Sequence, residues 1–199
     1  MNDQAHIRIV VIRGSVRPGA YTTKACKLVL DELSKLDDVA VTEIDPRPLE
    51  LPLPGLDPDH AGAAGMREIV SSATGVIFAT PEYHGGISGV TKLVIDNLGF
   101  PSVLAGKPIA LLGVAAGQIG AIKALEQLRS VLSHVGAIVL PGPVSVAGVR
   151  KVFDENDKPV DEAMEKRIRG VAVNLVDYIK QSICPRIALE NMVREGDGT

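Results

Sequence analysis

Short runs of β-branched and apolar residues alternate with segments of helical period five times along this chain, and that alternation constrains the fold more than any other feature. Ile7-Arg8-Ile9-Val10-Val11-Ile12 comes first, almost wholly apolar and broken by Gly14, so it reads as a strand buried on both faces. Cys26, Val29, Leu30, Leu33 and Leu36 follow at spacings of three and four, the period of one helix face. Further strands are expected at Val39–Ile44, at Gly75–Thr80 (ended by Pro81), at Ile109–Val114 and at Ala137–Leu140. Helices are expected around Met66–Ala73, over Val90–Leu98 and along the series Ile122, Leu125, Leu128, Leu132 and Val135. A last helix aligns Met164, Ile168, Val171, Leu175 and Ile179. Such alternation predicts an α/β protein with a parallel sheet, helices on both faces and right-handed crossovers.

A chain of 199 residues suits one domain of this class, placed at residues 1–183, with a partly disordered tail over 184–199 that ends Glu-Gly-Asp-Gly-Thr. The core has to be aliphatic, because the chain has no Trp and only three Tyr and three Phe. A formal charge of -3 with scattered signs offers no basic stripe, so nucleic acid is not an expected partner. Ile7–Ile12 is long enough for a strand and too short for a signal sequence, and no run approaches a membrane span, which makes the cytoplasm the expected location. Cys26 and Cys184 stand far apart without metal-ligand spacing and read as reduced thiols.

Sheets of this kind bind ligands beyond the carboxyl ends of their strands, beside the point where strand order reverses, so three loops carry the functional question. After the first strand comes Gly14-Ser15-Val16-Arg17-Pro18-Gly19-Ala20-Tyr21-Thr22-Thr23. Gly14 permits a tight turn, Ser15, Thr22 and Thr23 supply hydroxyls, and Arg17 supplies a charged fork for a phosphate monoester at a helix N-terminus. An ordinary strand-to-helix turn with Thr22 or Thr23 as N-cap would use the same residues. Neither GxGxxG nor GxxxxGK[ST] is present.

After the third strand, Pro81-Glu82-Tyr83-His84-Gly85-Gly86-Ile87-Ser88-Gly89 has paired glycines that let backbone approach a flat ring. His84 reads as lining a ligand edge. No elbow nucleophile and no orienting carboxylate accompany it, so no catalytic residue is assigned, and no second His or Cys gives it metal-ligand spacing. Lys92 and Asp96, four apart, read as a surface pair or a subunit contact. After the fourth strand, Ala116, Gly117 and Gln118 are small or amide-bearing, suited either to a ring edge or to a plain turn.

Together, Gly14-Ser15-Val16-Arg17 and Pro81 through Lys92, with Asp96 following, resemble the NAD(P)H-dependent FMN reductase family of flavodoxin-like quinone, azo-dye and chromate reductases. The resemblance runs from about Ile7 to Tyr178. It implies a five-stranded parallel sheet in the order 2-1-3-4-5. It also implies FMN as cofactor, NADPH or NADH as electron donor, a small acceptor such as a quinone (free flavin, azo compound or chromate being open), and a homodimer or homotetramer. Carried over residue by residue, it implies that Ser15, Arg17, Thr22 and Thr23 hold the FMN phosphate. Pro81, Glu82, Tyr83, His84 and Gly85 would then lie along the isoalloxazine, with Ala116, Gly117 and Gln118 bordering the same ring. Two departures stand out: Ala20 where the family commonly has Ser, and His84 where it commonly has Asn. A flavodoxin-type electron carrier and a non-enzymatic flavin-binding redox sensor are the alternatives. Arg17 and the scarcity of aromatic residues favour the reductase over the carrier.

Overall fold

The computed structural model describes residues 7–196. Its first strand, β1 (Ile7–Arg13), is buried at every position but Arg8, as expected of a strand with helices above and below. The chain continues through α1 (Tyr21–Leu33), β2 (Val39–Ile44), α2 (Ala61–Ser72), β3 (Gly75–Tyr83), a two-residue β4 (Gly86–Ile87) and α3 (Gly89–Asp96). Then come β5 (Pro108–Val114), α4 (Ile122–His134), β6 (Ile138–Val139), β7 (Val144–Val146), α5 (Glu162–Tyr178) and α6 (Cys184–Gly196). The sheet runs β2-β1-β3-β5-β6, which is the expected order of the five main strands, all parallel. To these the structure adds β4, antiparallel to β3, and β7, which pairs with β5 where the short β6 ends.

Alternate residues of β1 feed two separate cores. Ile9 and Val11 pack with Val29 and Leu33 of α1 and with Ile168 and Leu175 of α5. Val10 and Ile12 pack with Met66 of α2, Val94 of α3 and Leu128 of α4 on the other face. Burying each such side chain contributes roughly 1.5–3 kcal/mol, so two aliphatic layers hold the sheet rigidly from both sides. Because the chain leaves β1 toward β2 in one direction and toward β3 in the other, a crevice opens beyond the carboxyl ends of β1 and β3.

Three boundaries differ from expectation for identifiable reasons. Pro81 does not end β3, which runs on to Tyr83. Proline lacks only the donor, and Pro81 sits in the last register position against Val114 of β5. Helix α2 starts at Ala61 rather than near Met66, because the His60 ring caps it, Nδ1 accepting from the Ala63 N–H at 3.3 Å. Over the described part of the expected tail, 184–196, the chain is helical as α6, and residues 197–199 lie outside the described residues. A π-helical segment, Ile179–Ile183, precedes the Cys184-Pro185 start of α6 and changes the hydrogen-bond register where proline removes a donor. Among the described residues, no helix is long and apolar enough to cross a membrane.

Candidate functional site

The turn leaving β1 is held from below by buried hydroxyls. Gly14 N–H donates to the Ala79 carbonyl at 2.7 Å, and the Gly14 carbonyl accepts from Ser88 Oγ at 2.5 Å. Ser88 in turn accepts from the Thr91 N–H at 3.0 Å, and Thr91 Oγ1 donates to Thr80 Oγ1 at 3.0 Å. A side chain at Gly14 would overlap Thr91 Oγ1 and come within 2.8 Å of the Ala79 carbonyl, so only glycine lets the turn lie this close to β3. This network fixes the first loop against the third strand and its following helix.

Above that anchor, Ser15 is buried, and its hydroxyl accepts from the Arg17 N–H at 3.4 Å. Helix α1 then starts after Ala20, with no side-chain cap and no acidic residue in its first turn. Its first N–H groups have no intrahelical acceptor, and the helix dipole concentrates partial positive charge there. By contrast, α2, α3 and α5 are capped by His60, Ser88 and Asp161. Thr22, buried inside this bare turn, and the exposed Arg17 add a hydroxyl and a full charge. Arg17 has no carboxylate partner among the described residues.

These groups form one wall of a cavity of about 260 Å³. Pro81, Glu82 and Tyr83 form a second wall, and Ala116 approaches from the loop after β5. The remaining expected residues sit differently. Thr23 turns away, 3.5 Å from Nη1 of the buried Arg13. His84 and Gly85, both at positive φ (51° and 75°), make the exposed turn between β3 and β4. Gly117 and Gln118 are exposed beside Ala116 and do not line the cavity. Tyr21, Val149 and Arg150 also line it, none of them among the expected site residues. Tyr21 was open to discovery as the first residue of α1, whereas nothing in the sequence places Val149 and Arg150 beside β1.

Charge is distributed unevenly around the cavity. Arg13 is spent on carboxylates: Nη2 lies 2.5 Å from Asp45, and Nε lies 3.0 Å from Glu43, out of line for a hydrogen bond. Burial works against the charge on Asp45, but hydrogen bonds from Arg47 and the nearby Arg13 outweigh it and hold its carboxyl below the usual carboxylate range. Glu82 is occupied as well, its Oε2 accepting the Ala124 N–H in the first turn of α4 at 3.0 Å. Lys92 and Asp96 form the surface pair expected of them, at 2.7 Å on α3. Cys26 and Cys184 are both free, and burial pushes the Cys26 thiol up to about 12, which makes it inert.

Fold and site thus define a doubly wound α/β protein with an uncapped helix N-terminus and an exposed arginine lining a cavity beyond the carboxyl ends of its central strands. A sequence model of the NADPH-dependent FMN reductases matches residues 7–150. An NADPH azoreductase of Bacillus sp. (strain OY1-2) is 31% identical over 82% of this chain and 92% of its own length. A quinone reductase of Escherichia coli K12 is 26% identical over 88% of this chain and 96% of its own. Among solved structures, the flavoenzyme NAD(P)H:(acceptor) oxidoreductase FerB of Paracoccus denitrificans superposes with a TM-score of 0.74 at 23% identity, covering 88% of this chain and 98% of that one. The chain belongs to the NADPH-dependent FMN reductase family, oxidoreductases that work with FMN and a reduced nicotinamide.

The residues present fit that cofactor. A phosphate monoester needs several N–H and O–H donors with compensating positive charge, and the bare α1 terminus, Ser15, Thr22 and Arg17 supply them in one place.

Proposed function

We propose that this chain is an FMN-dependent NAD(P)H:acceptor oxidoreductase whose acceptor is a small planar molecule, a quinone or azo compound foremost. One observation carries the reading: an uncapped helix N-terminus, with an unpaired arginine beside it, faces a cavity at the sheet's switch point. The names of the quinone reductase and azoreductase relatives support the acceptor class.

In this reading Ser15, Arg17, Thr22 and the first amides of α1 hold the phosphate. Thr23, against Arg13, lies outside this set. Pro81, Glu82 and Tyr83 form the shelf for the ring, and Ala116 closes its far side. His84, Gly85, Gly117 and Gln118, exposed next to the lining residues Tyr83 and Ala116, would offer backbone and amide groups to the polar edge of the ring. FMN, when bound, supplies the redox chemistry by taking a hydride from the nicotinamide and passing electrons to the acceptor. The protein's part is to orient the ring and leave one face open, so no side chain is needed as acid or base. The reading includes a homodimer or homotetramer in the cytoplasm, which sedimentation velocity of the purified protein would check.

Mixing FMN-loaded protein with NADPH or NADH under argon tests the proposal. Rapid bleaching of the flavin absorption band, followed by its recovery when a quinone is added, is the expected result. An unchanged spectrum with both donors would favour an electron carrier.

A further inference from the structure

The cavity contains a second arginine that no loop motif accounts for. Arg150 reaches it from a 3-10 turn, Val149–Lys151, that follows β7. Like Arg17, Arg150 is exposed and has no carboxylate partner among the described residues. The charged groups around it are accounted for. Glu82, which lines the same cavity, is engaged by the α4 N-terminus. Asp157, on the same segment as Arg150, is engaged by Lys24 at 2.6 Å and approached by Lys27 at 3.6 Å.

The segment bearing Arg150 is tied down at both ends. Gly148 N–H donates to the Gly117 carbonyl at 2.9 Å and Val149 N–H to the Ala115 carbonyl at 3.0 Å, which bind the turn to the loop after β5. Farther along, Phe153 packs on Tyr21 with ring centroids 6.3 Å apart, and the Lys24–Asp157 ion pair fastens the segment to the first turns of α1. Arg150 and Arg17 therefore line one cavity together with Tyr21 and Thr22 of the first turn of α1.

We propose that Arg150 is a second phosphate ligand, so that two guanidinium groups lining one cavity neutralise the dianionic monoester of FMN. The proposal rests on the reading of the cavity as the FMN site. It assigns to the 148–157 segment the role of a strap that discriminates phosphorylated from unphosphorylated flavin. One arginine leaves part of a dianion uncompensated, while two match it.

Flavin fluorescence titration of the apoprotein with FMN and with riboflavin tests this, using wild type, Arg150→Ala, Arg150→Lys and Arg17→Ala. The expected result for Arg150→Ala is about a tenfold weaker FMN affinity with riboflavin affinity unchanged, and Arg150→Lys should fall between Ala and wild type. If Arg17→Ala lowers the preference for FMN over riboflavin and Arg150→Ala does not, the proposal fails while the cavity stays the flavin site. Equal losses for both flavins in Arg150→Ala also overturn it, since they report a damaged pocket and not a lost phosphate contact. If neither alanine variant changes the preference, the FMN reading of the cavity falls as well.

Discussion

Helices α1 and α4 start at the same end of the sheet, and neither has a capping side chain of its own. At α4 the vacancy is filled from within the protein, because the Glu82 carboxylate crosses from β3 and accepts the Ala124 N–H. At α1 no side chain among the described residues fills it. Ala20 stands at the cap position, the first turn carries no acid, and the cation Arg17 lines the same cavity as the first turn. A terminus completed by its own chain is structural, while one left open beside a cation suits an outside anion. The same contrast separates the two arginines of the β1 region. Arg13 is buried between Glu43 and Asp45 and serves the fold, whereas Arg17 is exposed, has no carboxylate partner among the described residues and is proposed to serve a ligand.

The contrast can be broken in four places. The largest effect is expected at the anchor that holds the first loop against β3 and α3. Gly14→Val drives a side chain into Thr91 and the Ala79 carbonyl and should destabilise the fold by about 3 kcal/mol in urea unfolding. Next, Arg17→Ala should weaken FMN binding by roughly tenfold or more, about 1.5–3 kcal/mol for a charge-assisted contact, and leave unfolding in the absence of flavin unchanged. Glu82→Ala should do what Arg17→Ala does not, lowering flavin-free stability by about 1 kcal/mol through loss of the α4 cap. Equal stability losses in these two variants would erase the distinction between the termini.

The smallest effect concerns pH. The Asp45 carboxyl is held below its ordinary value in the folded state, so its contribution is complete above the unfolded value of about 3.9 and disappears as pH falls through the folded one. Asp45→Asn should flatten the acid limb of stability against pH in that window and leave the preference for FMN over riboflavin intact. An altered flavin preference would mean that the Arg13 cluster reaches the cavity after all.

Much of the fold was legible because a buried parallel strand has no choice but to be an apolar run. Ile7–Ile12, Gly75–Thr80 and Ile109–Val114 carry that signature in the sequence itself and became the central strands β1, β3 and β5. The short strands β4 and β7 carry no such signature, being fixed by neighbours: Ile87 by the Gln127 side chain of α4, and Val144 by the edge of β5 that β6 leaves uncovered. The site divides in the same way. Gly14, Ser15 and Arg17 stand within four positions and could be read as a unit, so the turn that borders the cavity was visible. Arg150 reaches the cavity only because Phe153 meets Tyr21 and Asp157 meets Lys24, contacts between distant segments that no local pattern encodes. Thr23 shows the converse, since its hydroxyl suited the motif but faces Arg13.

A crystal structure of the protein soaked with excess FMN tests the central claim most directly. The phosphate should rest on the first-turn amides of α1 within reach of Arg17, with the ring lying between the β3–β4 turn and the Ala116–Gln118 loop. A phosphate bound anywhere else, or side chains closing the α1 terminus while flavin occupies another surface, would contradict the account.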